Sequence, residues 1–252
     1  MTRLLTAAAL ALVTVVAVCV TSGAQSASAP PAAARASAPI DLTGYWVSYV
    51  TEDWRYRMVT PPRGDYRGVP ITREALALVN AWDPAADEKS GNQCRSYGAA
   101  AIMRVPGRFH ITWQDENTLR VDSDAGMQTR LFRFAPARTP AGPPTWQGLS
   151  TATWRRAAGA ATASPWARGS LTVVTTNMKA GYLRKNGVPY SADASVTEHF
   201  DLATPAGGTP LLVVTTVVDD PRYLLQPFIV SSHFKKELDG SKWDPAPCSA
   251  TW

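Results

Sequence analysis

Three histidines, His110, His199 and His233, are the first residues to weigh for chemistry. Each falls in a segment that reads as a β-strand, so three strands could gather imidazoles around zinc or iron. They share no local ligand motif, and each alternates with polar neighbours: Thr112 beside His110, Thr197 and Asp201 beside His199, Ser231 and Lys235 beside His233. That alternation places them on a solvated outer face or, in a sharper reading, on a polar barrel lumen. No metal site is expected. An enzyme built here would use His110 or His233 as a general base beside a carboxylate.

Glu198 is placed differently. By alternation it shares a face with Val196, Phe200 and Leu202, and a carboxylate on an apolar face must be paired or protonated. Arg130 alternates with Phe132 and Phe134, and Arg104 with Ile102. The expectation is a buried cluster of Glu198 with Arg130 or Arg104, orienting a ligand carboxylate or hydroxyl or acting as a structural ion pair. Asp219 and Asp220 do not make paired acids, because adjacent strand residues point to opposite faces; with Pro221 next, they read as a turn. The aromatic–basic runs from Trp54 to Arg57 and from Tyr182 to Lys185 can clamp a polar ring or an anion, or can anchor loops at a barrel mouth. The sequence holds no G-x-S-x-G, H-E-x-x-H, phosphate-binding glycine loop or C-x-x-C. No cofactor is expected.

The elements that must position these residues are mostly strands. Leu42 to Val47 opens the fold, with Trp46 plugging one end of a core. One short helix is legible: Thr72 caps it, and Ala75, Leu78, Val79 and Trp82 follow the spacing of one apolar face. Asp83-Pro84 stops it. From Gly98 the pattern turns to period two, with Ala100, Ile102 and Arg104 on one face. Phe109, Ile111 and Trp113 face inward ahead of a polar turn, and Leu119 and Val121 return as the partner strand. Gln128 to Phe134 is a further strand, and Arg138 to Pro144 is loop. Trp146-Gln147-Gly148 begins a second set: Leu171 to Met178, Ser195 to Leu202, Leu211 to Val218 and Phe228 to Lys235, rich in Val, Thr and Phe. Gly207-Gly208 is expected as a hairpin turn, and Asn186-Gly187 as a tight turn inside a longer loop. The fold class is mainly β: an antiparallel barrel or strongly curved sheet with one short N-terminal helix, with a sandwich as the alternative. A barrel of about eight strands can hold one small ligand.

The N-terminus reads as an export signal. Arg3 precedes the apolar run Leu4 to Val20, and small residues follow. We expect a signal peptide over 1–24, a disordered Ala/Ser/Pro linker over 25–40, and a single β domain over 41–252. No membrane span is expected after cleavage. The formal net charge of +5 falls to +4 without Arg3, and the scattered basic residues argue against a nucleic-acid partner. Cys94 and Cys248 remain as an even pair, read as a disulfide in the periplasm or outside the cell.

The stretch Trp54 to Pro62, then Cys94-Arg95-Ser96-Tyr97-Gly98 and Ile102 to Pro106, resembles a group of exported bacterial proteins of unassigned function. Gly181 to Ser191, Asp220-Pro221 and Gln226-Pro227-Phe228 extend the likeness across most of 42–248. The resemblance implies a lipocalin-like barrel outside the cytoplasm, and Gly44-Tyr45-Trp46 is similar to the lipocalin Gly-x-Trp. It carries over no catalytic residue. The leading expectation is a binding protein for a small, partly apolar ligand held by Glu198, Arg130 and Arg104. The alternatives are a cofactor-independent hydrolase, lyase or isomerase, and a structural protein whose barrel is filled by side chains.

Overall fold

Val, Thr and Phe recur along the long strands Ser170–Thr176, Ser195–Ala203, Leu211–Asp219 and Phe228–Lys236. The computed structural model describes residues 33–134, 142–156, 169–203 and 208–251. β1 (Gly44–Ser48) leads into α1 (Trp54–Arg57), α2 (Arg73–Ala81) and α3 (Pro84–Lys89), then 3-10 turns at Gln93–Tyr97 and Ile102–Arg104. β2 (Arg108–Asp115), β3 (Thr118–Ser123), the short β4 (Ala125–Gly126), β5 (Thr129–Arg133), β6 (Leu149–Arg155) and β7 (Ser170–Thr176) follow. β8 (Gly181–Arg184) and β9 (Val188–Tyr190) form a hairpin ahead of β10 (Ser195–Ala203), β11 (Leu211–Asp219) and β12 (Phe228–Lys236). β13 (Ala246–Pro247) pairs with β4.

Nine strands close a barrel in the order β1-β12-β11-β10-β7-β6-β5-β3-β2. Read around the ring, that is the order of the chain, with β8–β9 inserted between β7 and β10. An odd number of strands cannot close with every neighbour antiparallel, so one pair must run parallel. That pair is β5–β6, with Phe132 opposite Ser150. The barrel is therefore mixed rather than wholly antiparallel, and it has no free edge.

The inward positions carry the core. Along β10, Val196, Glu198 and Phe200 are buried while their neighbours are half-exposed. Trp46, Phe109, Ile111, Leu119, Phe132, Leu171, Phe200 and Phe234 pack through the middle and far end of the barrel. The Trp46 indole N–H donates to the Leu42 carbonyl at 2.9 Å. A second apolar cluster fills the other end, where Val69, Val79, Leu183, Val188 and Tyr190 cap Val196, Val218 and Phe228. The long connection from β1 to β2 and the β8–β9 hairpin supply this cap.

Three sequence expectations change here. The segment from Gly98 is not a strand but 3-10 turns, so Arg104 does not sit on a sheet face beside Ile102. Every residue from Ser96 to Val105 is buried, and a segment covered on all sides has no solvent face to set its period. The single helix is joined by α1 and α3. Asp83-Pro84 does end α2, but Pro84 opens α3, with the Asp83 side chain accepting from Ala85 N at 3.0 Å; proline is tolerated in a first helical turn. Residues 33–40, expected as linker, pack on the barrel: Ala34 accepts from Trp154 Nε1 at 2.9 Å, and Ile40 is buried. The expected signal peptide, Gly207 and most of the Arg138 to Pro144 loop lie outside the described residues.

Cys94 and Cys248 form the expected disulfide, with Cα atoms 5.1 Å apart. It ties the C-terminal tail to the Gln93–Tyr97 turn. Among the described residues, no helix is long and apolar enough to cross a membrane.

Candidate functional site

Glu198 meets Arg130. The guanidinium donates from Nη1 to Glu198 Oε1 at 2.9 Å and from Nη2 to Oε2 at 2.6 Å. Both side chains are fully buried. Nη2 also donates to Thr175 Oγ1 at 3.2 Å, and Thr175 shares a 2.8 Å hydrogen bond with Ser150. Along their strands Glu198 lies between Val196 and Phe200, and Thr216 between Val214 and Val218; one neighbour of each belongs to the barrel core and the other to the cap cluster. The pair is thus a polar layer between two apolar ones. Its bidentate geometry satisfies both carboxylate oxygens, which leaves Glu198 committed to Arg130.

Arg104 lies elsewhere. Its Nη1 donates to Asp53 Oδ2 at 3.0 Å, and its carbonyl accepts from Arg57 Nε at 2.8 Å. The histidines stay apart, and among the described residues no group of three His, Cys, Asp or Glu could hold a metal. His110 stacks on Tyr45 with ring centroids 4.0 Å apart. Asp122, opposite it in register, is gripped by Arg120 at 2.7 and 2.8 Å. His199 Nδ1 lies 3.2 Å from Thr172 Oγ1. His233 Nδ1 lies 3.1 Å from Glu52 Oε2 and 2.9 Å from Thr51 Oγ1, and Glu52 also pairs with Arg57. Asp220 is buried at a turn, as its sequence implies. It accepts from Ser191 N at 2.6 Å, Ser191 Oγ at 2.8 Å and Arg222 N at 3.0 Å.

A concave site with convergent polar groups lies in the cap. A cleft of about 360 Å³ opens between α2, α3 and the β8–β9 hairpin. Leu78 and Trp82 come from α2 and its C-cap, Asp87 from α3, Arg95 from the Gln93–Tyr97 turn, and Tyr182 and Tyr190 from the hairpin. Glycines make this packing possible. A Cβ on Gly187 would stand 2.2 Å from the Trp82 ring, and one on Gly98 would stand 2.2 Å from the Tyr190 hydroxyl. Gly187 also holds φ +80° in the hairpin turn, a conformation glycine adopts without penalty.

Within the cleft, Asp87 accepts from Arg95 Nη1 at 2.7 Å and from the Tyr182 hydroxyl at 2.9 Å. Arg95 also donates to that hydroxyl at 2.9 Å. Burial pushes the Tyr182 phenol up to about 12, so at neutral pH it keeps the proton it donates to Asp87. Burial likewise raises Tyr190. Trp82 Nε1, Arg95 Nε and the Tyr190 hydroxyl are buried with no hydrogen-bond partner among the described residues. No local pattern in the sequence assembles this cleft. Its one legible signal was the aromatic–basic run beginning at Tyr182.

Fold and site together define a class: a closed nine-strand mixed β-barrel with one end covered by short helices and a hairpin, and a polar-rimmed aromatic cleft in that cover. No family model, no curated protein and no solved structure matches the chain.

Proposed function

We propose that this is an exported protein that binds a small, partly apolar molecule, and that it does so in the cap cleft rather than in the barrel lumen. The observation that carries this reading is the aromatic cleft of about 360 Å³, with the hydrogen-bonded Asp87, Arg95 and Tyr182 among its lining residues. A ligand with one or two polar atoms between apolar faces would suit it. The volume lies within the usual range for small-molecule sites, which are mostly apolar with a few placed polar groups. Export is supported by the signal-like N-terminus and by the disulfide, which suits an oxidising compartment. In this reading Glu198 and Arg130 brace the barrel, and Arg104 belongs to a neighbouring basic cluster.

Native mass spectrometry of protein purified from its own envelope tests the proposal. A bound small molecule is expected, and it should be lost from an Arg95→Ala, Tyr182→Phe double variant that folds. A clean apo spectrum, with no thermal shift from any member of a metabolite panel, overturns the reading.

One observation favours a second reading, a hydrolase, lyase or isomerase. His233 and Glu52 stand in the geometry of a general base and its orienting carboxylate. Any turnover on that pair is expected to vanish in His233→Ala. A turnover that persists in that variant removes the second reading.

A further inference from the structure

The turn of the β8–β9 hairpin also borders a cavity of about 20 Å³, on which Arg57, Arg104, Arg184 and Lys185 converge. All four side chains are at least nine-tenths buried. They come from α1, the Ile102–Arg104 turn, and the end of β8 with the residue after it. The two aromatic–basic runs of the sequence therefore meet in space, and the Arg184 guanidinium lies over the Tyr56 ring at 4.0 Å.

Carboxylates match only part of the charge on the three arginines. Glu52 pairs with Arg57, and Asp53 with Arg104 at 3.0 Å. Arg184 donates to the Arg67 carbonyl at 2.8 Å and forms no ion pair among the described residues. Arg57 Nη2, Arg104 Nη2 and Arg184 Nε have no hydrogen-bond partner there either. The guanidiniums also act on one another. Burial first, and Arg104 next, bring Arg184 down to about 10. Burying a charge is costly unless it is paired and hydrogen-bonded, so three underused guanidiniums around one cavity are expensive without an anion.

We propose that this cavity is an anion site: Arg57, Arg104 and Arg184 hold either one chloride ion or one oxygen of a phosphate, sulfate or carboxylate end group. The space fits roughly one water-sized group, and guanidinium donors suit oxyanions, which they grip through fixed forks. The site is distinct from the aromatic cleft, and its fate does not depend on that reading.

Thermal unfolding of the full chain, titrated separately with sodium chloride, phosphate, sulfate and acetate, tests the site and identifies the anion. A saturable rise in melting temperature is expected with at least one anion. Apparent affinity should fall about tenfold or more in Arg184→Gln, which removes a charge-assisted donor. Arg184→Lys, which keeps the charge without the fork, should fall in between. Crystals soaked in bromide give a readout independent of variant folding, with an anomalous peak expected beside Arg184. No saturable response to any of the four anions, an equal response in Arg184→Gln, or bromide peaks elsewhere with none at this cavity, overturns the proposal.

Discussion

At the residue scale, the interior ion pair and the buried lysine make opposite demands. Removing one partner of Glu198–Arg130 strands the other charge in an apolar interior. Glu198→Ala is therefore expected to cost about 3–5 kcal/mol in urea unfolding. Replacing both, as Glu198→Leu with Arg130→Met, should be near neutral or stabilising, because the desolvation cost of two ions disappears with them. Lys185 is the pH-sensitive residue. Burial pushes its ammonium down to about 8, against a smaller opposing effect of Glu88. Its Nζ donates to the Tyr97 hydroxyl at 2.6 Å and to the Thr251 carbonyl at 3.3 Å. Below pH 8 the lysine is charged both folded and unfolded, and the fold bears the full desolvation cost. Between pH 8 and about 10.4 the unfolded chain holds the proton that the folded chain has lost, so stability rises with pH. Unfolding free energy measured across that window should show this rise in the wild type and a smaller one in Lys185→Met.

At the element scale, α2 and the β8–β9 turn govern the cleft. Thr72 caps α2 through Ala75 N at 3.3 Å, and Thr72→Ala should cost about 1 kcal/mol. Gly187→Ala should cost about 2 kcal/mol or more, since its positive φ disfavours a side chain and the added carbon would meet Trp82. Near-ultraviolet dichroism of the tryptophans should change in Gly187→Ala and stay near wild type in Thr72→Ala. These elements were unevenly legible. The Thr72 cap and the apolar spacing of Ala75 and Val79 mark α2 directly, because a half-buried helix shows its period. The stretch from Ser96 to Arg104 shows none, because it is covered on every side, and Arg104 reads as a strand residue for that reason.

At the scale of the whole molecule, the disulfide joins positions 154 residues apart and anchors the tail over the cap. Reduction, or Cys94→Ser with Cys248→Ser, is expected to cost about 2–5 kcal/mol in thermal or denaturant unfolding. The cap should loosen before the barrel, because Ala250 N and the Lys185–Thr251 contact lose their tether.

Strand alternation by itself determined a mainly β fold, and the inward setting of Glu198 beside Val196 and Phe200 and of Arg130 beside Phe132. The Cys94–Cys248 pairing was an expectation from cysteine count, and the structure shows the bond. The tertiary structure decided that Glu198 takes Arg130 rather than Arg104, that nine strands close with one parallel pair, and that the concave sites lie in the cap. Periodicity is a local property, set by which face of a segment meets water. Closure, pairing across the ring and the meeting of Trp82 with Tyr190, or of Arg57 with Arg184, depend on segments far apart in the chain, and no local pattern encodes them.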